Sequence, residues 1–364
     1  MDLNALFGGV YNGKHVLVTG HTGFKGSWLA FWLRAMGARV SGLALDPDTA
    51  PSHWNQLALS DVGDHRVDLR DRAGVRAVFE RVQPQIVFHL AAQPLVRRSY
   101  REPVATFDVN VMGLLNVLEA VRDFASVRVL VNATTDKVYE DRESENGFRE
   151  GDCLGGHDPY SSSKACAEIV SACYRKSFFH DDGRGFAPRV ATARAGNVIG
   201  GGDWAEDRLV PDLVRAATSG NALRVRNPSA VRPWQHVLEP LSGYLRLGQR
   251  LWDDTGLAGA WNFGPGAAGE ISVQSLAAQL GAHWPTLRIE DDAGTHPHEA
   301  AILRLNCDKA ARQLAWRPVW SIDTALARTA EWYRRFHESE QVGSADDLAA
   351  YIGDARQLGV GWTS

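Results

Sequence analysis

The sequence predicts an α/β protein whose centre is a doubly wound, parallel β-sheet. Short β-rich runs alternate with helical patterns through the first half of the chain, and a glycine-rich turn joins the first run to the first helix. Parallel strands need crossover helices, so this alternation is typical of such a sheet. A hydrophobic fraction of 45% and a charged fraction of 23% are those of an ordinary globular protein and argue against global disorder.

The predicted strands of the first half are short runs rich in Val, Ile, Leu and Phe. In chain order they are Lys14–Gly20, Arg39–Leu45, Gln85–Ala91, Val127–Ala133 and Arg189–Arg194. The helices predicted between them, from apolar residues at helical spacing, are Ser27–Met36, Val75–Arg81, Val109–Arg122 and Tyr160–Arg175. Gly37 follows the first of these helices and can end it.

The alternation fades after residue 195, and we expect the chain to leave the sheet and return to it. Gly196–Asp203 is predicted to be a glycine-rich turn. The remaining predicted elements are helices at Arg208–Ser219, Trp234–Leu251, Ile271–Trp284 and Ile322–Phe336, and a late edge strand at Trp261–Pro265. No element is predicted from Glu338 onward.

Charge and cysteine content exclude several classes of protein. The formal net charge of −4 provides no basic surface for nucleic acid. The four cysteines include no CxxC pair or metal-ligand spacing, so we expect reduced thiols and no bound metal. The amino terminus has no basic stretch before an apolar run, and no apolar segment is long enough to cross a bilayer. We therefore expect a cytoplasmic protein without a nucleic-acid or membrane partner.

Gly20, Gly23 and Gly26 form a GxxGxxG run between the first predicted strand and the first predicted helix. A dinucleotide pyrophosphate binds backbone N–H groups at a helix amino terminus, and side chains larger than hydrogen would block its approach. A plain tight turn is the alternative interpretation. Because a predicted strand precedes the run and a predicted helix follows it, the run favours a dinucleotide-binding loop.

The end of the second predicted strand decides between NAD and NADP, because an acid there binds ribose hydroxyls and an arginine binds a 2′-phosphate. Asp46 lies about twenty residues beyond Gly26, the spacing expected for that acid, and no arginine follows immediately. This favours NAD, although Asp46 could equally be a surface turn residue. Asp68 could contact the adenine edge, and a helix N-cap is an equally good interpretation of its region.

Tyr160 and Lys164 are four residues apart on a predicted helix, so both side chains project from one face. A free phenol has a pKa of about 10, so a tyrosinate base needs nearby positive charge. A lysine ammonium and a nicotinamide ring are suitable sources of that charge. The same spacing occurs by chance on exposed helices, but the glycine loop upstream favours a catalytic pair.

Six motifs occur in the order in which one known family carries them: "TGHTGFKG", "HLAAQ", "DVNVMG", "TTDKVY", "DPYSSSK" and "GNVIGGGD". The chain therefore resembles the extended short-chain dehydrogenase/reductase family over nearly its whole length. Within that family, "GHTGFKGSWL", "TTDKVYE", "RPWQHVLEPLSGYL" and "HPHEA" are similar to the CDP-glucose 4,6-dehydratase branch. The resemblance implies a Rossmann-type NAD-binding domain at 1–195 plus 233–266. It also implies a smaller nucleotide-sugar-binding domain at 196–232 plus 267–364.

The resemblance also implies a reaction and the residues that perform it. Thr135 would hydrogen-bond the 4-hydroxyl of the sugar, Tyr160 would remove its proton, and Lys164 would hold the nicotinamide ribose. Oxidation at carbon 4 acidifies the hydrogen on carbon 5, so water can leave across carbons 5 and 6 with the help of an acid and a base. Asp136 is the expected acid. Hydride return to carbon 6 would convert CDP-glucose to CDP-4-dehydro-6-deoxy-glucose without net consumption of cofactor.

The base for carbon 5 is open, because many related dehydratases carry glutamate where this chain has Lys137. An ammonium cannot accept a proton. A depressed pKa could leave Lys137 as a neutral amine, or its charge could stabilise the enolate while another group takes the proton. An exposed lysine at a strand end is the remaining interpretation.

Further contacts to the cofactor are implied for Phe24, Leu69, Leu90, Ala91, Ala92 and Asn110, in addition to the residues above. Asn110 is expected to organise the backbone beneath the active site. His89 is interpreted as a packed, hydrogen-bonded histidine beside the cofactor cleft and not as a proton carrier. Either residue could be purely structural.

The substrate's two linked phosphates require cations in fixed geometry, which suits the planar fork of arginine. Arg208, Arg226 and Arg232 follow the last predicted core strand, and solvated surface arginines are the alternative interpretation. The resemblance places Asn197 and Arg232 at positions that face the nucleotide, and it adds Gln93 and His298 as substrate contacts. His236 could be a further contact or a helix cap. The cytidine base is implied by the resemblance alone.

Three other functions fit part of the pattern. A nucleotide-sugar 4-epimerase shares the glycine loop, Thr135, Tyr160 and Lys164 but has no need of Asp136, and a dehydratase could act on another nucleotide hexose. A catalytically silent NAD-binding regulator would need the pocket but not the proton path. The resemblance further implies a homodimer or homotetramer, formed through the helices near Val109–Arg122 and Tyr160–Arg175.

Overall fold

A seven-stranded, parallel β-sheet forms the centre of the structure. The computed structural model describes residues 3–140, 146–180, 187–266, 269–285, 287–292, 294 and 303–364. The strands are β1 (His15–Thr19), β2 (Arg39–Ala44), β3 (Gly63–Arg66), β4 (Ile86–His89), β5 (Val129–Ala133), β6 (Arg189–Ala195), β7 (Val198–Ile199), β8 (Ala222–Val225), β9 (Val231–Pro233), β10 (Gln235–His236), β11 (Ala260–Phe263), β12 (Glu270–Ser272) and β13 (Arg288–Asp291). The helices are α1 (Phe24–Ala35), α2 (His53–Leu57), α3 (Arg72–Val82), α4 (Val96–Arg101), α5 (Pro103–Phe107), α6 (Gly113–Asp123), α7 (Pro159–Ser177), α8 (Leu209–Ser219), α9 (Leu238–Asp253), α10 (Val273–Gly281), α11 (Ile322–Ser339) and α12 (Ser344–Gln357).

The strand order of the central sheet is β11-β6-β5-β4-β1-β2-β3, and every neighbouring pair is parallel. The chain starts at β1, proceeds outward to β3, and then crosses back to β4 on the other side of β1. Loops that follow β1 and β4 therefore diverge, which opens a crevice at the carboxyl ends of these strands. The predicted doubly wound parallel sheet is confirmed, and β11 is the predicted late edge strand.

Alternate residues of the strands enter two apolar layers on opposite faces of the sheet. Val16 of β1 belongs to the layer that contains Trp28 of α1, whereas Leu17 belongs to the layer that contains Val75 of α3 and Leu114 of α6. A third apolar cluster is formed by residues of α8, α10 and α11. Because both faces of the sheet are buried, the sequences of the central strands are continuous apolar runs.

The carboxy-terminal residues, for which no element was predicted, form α12. Leu348, Tyr351, Ile352 and Ala355 have helical spacing, and they lie in the same apolar layer as α1. Trp362 stacks on Phe7 with ring centroids 5.0 Å apart. The predicted division assigned these residues to the smaller domain, so the exact division into two domains stays a prediction.

Several boundaries differ from the predictions for identifiable reasons. α1 begins at Phe24, earlier than the predicted start at Ser27. The prediction missed the first turn because Lys25 and Gly26 interrupt the apolar spacing from which a helix is predicted. β3 was not predicted, since it is a short polar edge strand of sequence GDHR. β10 and β12 occupy the starts of two predicted helices, because they pair with β7 and β9, which local spacing cannot reveal.

Candidate active site

A cavity of about 520 Å³ lies at the carboxyl ends of the central strands. Its walls come from the glycine loop after β1, the loops after β4 and β5, the start of α7, the turn after β6, and the segment from Asp203 to Arg232. Open α/β sheets bind their ligands in such a crevice. Among the described residues, no group of three or more His, Cys, Asp or Glu side chains could hold a metal ion.

The three glycines of the loop have different physical roles. Gly20 has a φ of +75°, and a Cβ there would lie 2.7 Å from the backbone nitrogen of Ala91. A Cβ on Gly26 would lie 2.0 Å from the carbonyl oxygen of Gly20, so α1 can approach the loop only with glycine at this position. Gly23 is exposed and is the N-cap of α1, where no side chain caps the helix. The first N–H groups of α1 therefore face the cavity and could bind an anion.

The end of the cavity near β2 and β3 holds the acids predicted to contact the adenosine half. The side chain of Asp46 is 90% exposed and lies 3.7 Å from Arg66. Asp68 also lines the cavity, where its carboxylate accepts hydrogen bonds from Arg70. The N-cap of α3 is Asp71, whose side chain accepts from the backbone of Gly74. The capping interpretation therefore belongs to Asp71 and not to Asp68.

The loop after β4 separates lining residues from supporting ones. Leu90, Ala91 and Ala92 of this loop line the cavity, as do Leu69 in the loop after β3 and Phe24 at the start of α1.

Gln93 and Asn110 lie behind this wall and support the loop. Gln93 Nε2 donates to the carbonyl of Leu95 and to Thr106 Oγ1, and Gln93 Oε1 accepts from the Leu95 N–H, so the amide is fully engaged. Asn110 Oδ1 accepts from the backbone N–H of Gln93 at 2.8 Å, and its Nδ2 donates to Ser163 Oγ at 2.9 Å. Neither side chain lines the cavity, so the expected contacts of Gln93 with substrate and of Asn110 with the cofactor stay predictions.

Thr135, Asp136, Tyr160 and Lys164 all line the cavity, where two elements bring them together. β5 ends at Ala133, and Thr135 caps the short 3₁₀ turn Asp136–Val138 that follows. α7 begins next to it with Pro159 at its first position and an Asp158 side-chain cap. Tyr160 and Lys164 thus lie one turn apart on the first part of α7, as their spacing predicted.

Asp136 is the buried acid of this group. Its Oδ1 accepts from Thr135 Oγ1 at 3.1 Å, whereas its Oδ2 has no hydrogen-bond partner among the described residues. Burial raises the pKa of the Asp136 carboxyl, and the charges of Lys137, Arg232 and Lys25 together with the Thr135 bond oppose part of that rise. A carboxyl in this environment keeps its proton to higher pH than an ordinary aspartate and can donate it to a bound group.

Tyr160 and Lys164 are also shifted by burial. Burial raises the pKa of Tyr160 to about 12, although the Thr135 hydrogen bond and the Arg208 charge lower it. Burial lowers the pKa of Lys164 to about 8, and its Nζ donates to the carbonyl of Ala133 at 3.0 Å. The protein alone therefore keeps Tyr160 protonated at neutral pH, and further positive charge in the cavity is needed to make it a base.

A buried ionic network holds α7 against β5 and β6. Glu168, one turn beyond Lys164, accepts from Thr134 Oγ1 at 2.5 Å and from Thr192 Oγ1 at 2.6 Å. The guanidinium of Arg194 donates to both carboxylate oxygens of Glu168. Because the pair is fully buried and hydrogen-bonded on all sides, it fixes the position of α7 relative to the end of β5.

The predicted phosphate-binding residues lie on the opposite wall. Asn197, Arg208, Arg226 and Arg232 all line the cavity. Arg208 pairs with Asp203 at 2.9 Å, and buried Arg232 donates to the carbonyl of Val231. Four arginine or asparagine side chains on one wall provide donors for an anionic ligand, but their contacts with substrate stay predictions. His298 lies outside the described residues.

Sequence reasoning missed two further cations of the cavity. Arg97 of α4 and Arg226 both donate to Asp207 Oδ1, at 2.8 and 2.9 Å, and so link the loop after β4 to the opposite wall. Lys25 is the second residue of α1, and burial lowers its pKa to about 8. A lysine in the first turn of a helix is unfavourable beside the positive end of the helix dipole, and that local conflict could have indicated a functional position.

The two histidines near the site have structural environments. His89 Nδ1 lies 2.8 Å from Thr19 Oγ1, and burial followed by the Lys164 charge lowers the pKa of His89 to about 3. The interpretation of His89 as a packed, hydrogen-bonded residue is confirmed. His236 Nδ1 accepts from the backbone N–H of Leu238 at the start of α9, which is the capping alternative.

A Rossmann-type sheet with an open helix amino terminus, and with Thr135, Tyr160 and Lys164 around one cavity, defines an extended short-chain dehydrogenase/reductase. Residues 17–329 match the family described as GDP-mannose 4,6 dehydratase, and the chain belongs to that family. The CDP-glucose 4,6-dehydratase of Salmonella typhimurium is 44% identical over 91% of this chain and 94% of its own length.

Solved structures agree on the fold. Epimerase Mth375 from Methanothermobacter thermautotrophicus is 26% identical, with a TM-score of 0.80 over 90% of this chain and 94% of its own. DesIV, a dTDP-glucose 4,6-dehydratase from Streptomyces venezuelae with NAD and TYD bound, is 26% identical, with a TM-score of 0.73 over 89% of this chain and 98% of its own. Because one of these is an epimerase and the other a dehydratase, the fold alone does not separate the two reactions.

Proposed function

We propose that this protein is an NAD-dependent nucleotide-sugar 4,6-dehydratase that converts CDP-glucose to CDP-4-dehydro-6-deoxy-glucose. The name of the Salmonella relative, at 44% identity over nearly the whole chain, supports the reaction and the nucleotide. The cavity supports the chemistry, since it joins an open helix terminus to a set of proton-transfer groups and to an arginine-rich wall.

The residues of the cavity fit NAD. The uncapped start of α1, with exposed Gly23 at its N-cap, suits the pyrophosphate, and Leu69 and Leu90–Ala92 offer apolar surface to the rings. When bound there, NAD supplies reversible oxidation and reduction of the sugar and a positive charge in the cavity. Lys164 would hold the ribose through the Nζ that already bonds the end of β5.

The chain's own side chains move the protons. Thr135 holds the 4-hydroxyl of the sugar and Tyr160 accepts its proton when the carbon is oxidised. Asp136 gives a proton to the departing 6-hydroxyl, since burial raises the pKa of its carboxyl above that of an ordinary aspartate. Arg208, Arg226 and Arg232 hold the diphosphate, so that the sugar stays beside these groups while its carbon centres change.

The unpartnered Oδ2 of Asp136 is the observation that carries this proposal. This oxygen is buried, and Asp136 lines the cavity next to Thr135, which donates to its other carboxylate oxygen. A buried polar atom without a partner costs about 1–3 kcal/mol, and such a cost is accepted where a ligand completes the bond. A 4-epimerase would need Thr135 and Tyr160 but gains nothing from a buried acid at this place.

The test is incubation with CDP-glucose, followed by product analysis, beside UDP-, dTDP- and GDP-glucose. We expect a 4-dehydro-6-deoxy sugar from CDP-glucose, with deuterium placed on carbon 4 reappearing on carbon 6. The isosteric variant Asp136→Asn should lose dehydration by roughly 10²–10⁴-fold and still oxidise carbon 4 in a single turnover. A 4-epimer as product, or full dehydration by Asp136→Asn, would refute the proposal.

We further propose that the protein forms a homodimer through the outer face of α5 to α7. α5, α6 and α7 lie side by side with the π-turn Asp108–Met112, and Val104, Met112 and Ile169 on them are 82%, 51% and 57% exposed. The expectation that no apolar segment is long enough to cross a bilayer was wrong, since Pro103–Asp123 is apolar and long enough by length and composition. Within the protein, 44% of its most apolar window is buried. A partner subunit would cover the remaining apolar surface.

The free cysteines Cys153, Cys166, Cys173 and Cys307 support a cytoplasmic location.

A further inference from the structure

His53, the first residue of α2, is fully enclosed between three segments that the sequence does not place together. Its Nδ1 lies 2.8 Å from Ser27 Oγ in the first turn of α1, and its Nε2 lies 2.8 Å from Ser344 Oγ at the start of α12. The ring is 4.9 Å from that of Trp28, and a Cβ on Gly202 would lie 2.5 Å from it. Both nitrogens of one imidazole therefore bridge the dinucleotide loop and the carboxy-terminal helix.

The direction of the hydrogen bonds follows from counting protons. Ser27 Oγ donates its one proton to the carbonyl of Phe24 at 2.9 Å, so His53 Nδ1 must be the donor to Ser27. His53 Nε2 is then an acceptor for Ser344, whose oxygen accepts in turn from Trp332 Nε1 at 3.0 Å. This arrangement gives every donor a partner. It assigns His53 the Nδ1–H tautomer.

The His53 ring also supports the turn that contains Asp203, the partner of Arg208 on the substrate side of the cavity. Trp28 Nε1 donates to the carbonyl of Gly201, and Gly202 lies against the His53 ring. Asp203 follows directly and pairs with Arg208, while its carbonyl accepts from Tyr333. Burial lowers the pKa of His53 to about 3, so the ring stays neutral and serves as a hydrogen-bonding support.

We propose that His53 is a positioning residue for both ligands. Its Nδ1 side fixes the dinucleotide-binding turn of α1. Its Nε2 side fixes the turn that leads to Asp203 through Ser344 and Trp332, because Trp332 donates to Ser344 and a Cβ on Gly201 would lie 2.0 Å from the Trp332 ring. This inference rests on the proposed function only for the identity of the two ligands. Two substitutions of His53 test the two sides of the ring separately. The amide nitrogen of Asn can replace Nδ1 as a donor, and the amide oxygen of Gln can replace Nε2 as an acceptor.

The experiment measures binding of NAD and, separately, of CDP to the full-length protein by calorimetry. His53→Gln keeps the acceptor for Ser344 but loses the donor to Ser27, and we expect it to weaken NAD five- to twentyfold and CDP less than twofold. His53→Asn keeps the donor to Ser27, and we expect the opposite pattern. Equal losses of both ligands in both variants, or no loss in either, would overturn the proposal.

Two smaller changes keep the test decisive if the His53 variants fold poorly. Ser27→Ala should reproduce the NAD defect of His53→Gln, and Ser344→Ala should reproduce the CDP defect of His53→Asn. Nitrogen NMR of histidine-labelled protein should show one Nδ1–H ring that disappears in His53→Asn; an Nε2–H ring at this position would contradict the assignment. A protein that binds NAD as described but does not dehydrate CDP-glucose would refute the proposed function and leave this inference intact.

Discussion

Lys137 is the residue whose chemical type fits its position least well. It occupies the 3₁₀ turn between Asp136 and Val138, is half-buried, and lines the cavity. Burial raises the pKa of Asp136, and the charge of Lys137 opposes part of that rise. The half-buried position excludes a fully exposed surface lysine, and a role of Lys137 at carbon 5 stays a prediction.

At the residue scale, Lys137→Met should abolish exchange of the carbon-5 hydrogen with solvent and leave the first oxidation in place. Methionine keeps the volume and removes the charge, so a packing defect is not expected. The measurement is deuterium incorporation from heavy water into recovered substrate and product. Lys176→Met, on the exposed end of α7, is the matched control, and unchanged turnover in Lys137→Met would exclude a role in elimination.

At the scale of elements, the connection from β1 to α1 contains one glycine needed for folding and another needed for ligand binding. Gly26 is needed because α1 touches the carbonyl of Gly20, whereas Gly23 is exposed, with a φ of −80° and a Cβ distance of 3.4 Å to that carbonyl. One glycine thus serves the packing of the helix, and the other keeps the helix terminus open to a ligand.

Gly26→Ala should therefore lower the free energy of unfolding by about 3 kcal/mol or more, since backbone must move to admit the methyl group. Gly23→Ala should change it by less than about 1 kcal/mol yet weaken NAD binding roughly tenfold, because the methyl group stands at the pyrophosphate. Urea unfolding and calorimetry measure the two effects. Equal loss of stability in both variants would contradict this division of roles.

At the scale of the whole molecule, the apolar face of α5 to α7 determines the predicted assembly. The double variant Met112→Lys/Ile169→Lys should convert a dimer to a monomer, because two charges would be buried against their copies in a twofold interface. Light scattering gives the mass in solution. Leu358→Lys, at an exposed apolar residue beyond α12, should leave the dimer intact, and a monomeric wild-type protein would disprove the interface.

Stability of the whole fold should fall in acid partly through its buried histidines. Burial lowers the pKa of His89 to about 3, below the unfolded value of 6.5. The contribution of neutral His89 to the free energy of unfolding is thus fully present above pH 6.5. It is lost as the pH falls towards 3, at up to about 1.4 kcal/mol per pH unit. His89→Asn should lose less stability than wild type between about pH 6.5 and 4.5 in urea unfolding. Exposed His180→Asn should follow wild type, and parallel curves for His89→Asn would contradict the prediction.

Most of the sheet, and the side chains around its carboxyl edge, were predictable because the relevant signals are local. Tyr160 and Lys164 share a helix, and Thr135 and Asp136 follow a strand. The expected ligand contacts of Gln93 and Asn110 stay predictions, because both side chains bond the loop after β4 and its neighbours. A motif reveals that such a residue matters but not whether its side chain faces the ligand or the wall behind it.

The sequence by itself determined the alternation of strands and helices, the glycine loop and the types of chemical group available, since each depends on residues near one another in the chain. Only the tertiary structure decided that Asp136 has an unpartnered oxygen, that Arg97 meets Arg226 through Asp207, and that His53 joins α1 to α12. Burial and hydrogen bonding between distant segments depend on how the layers pack, and no local period in the chain records that arrangement.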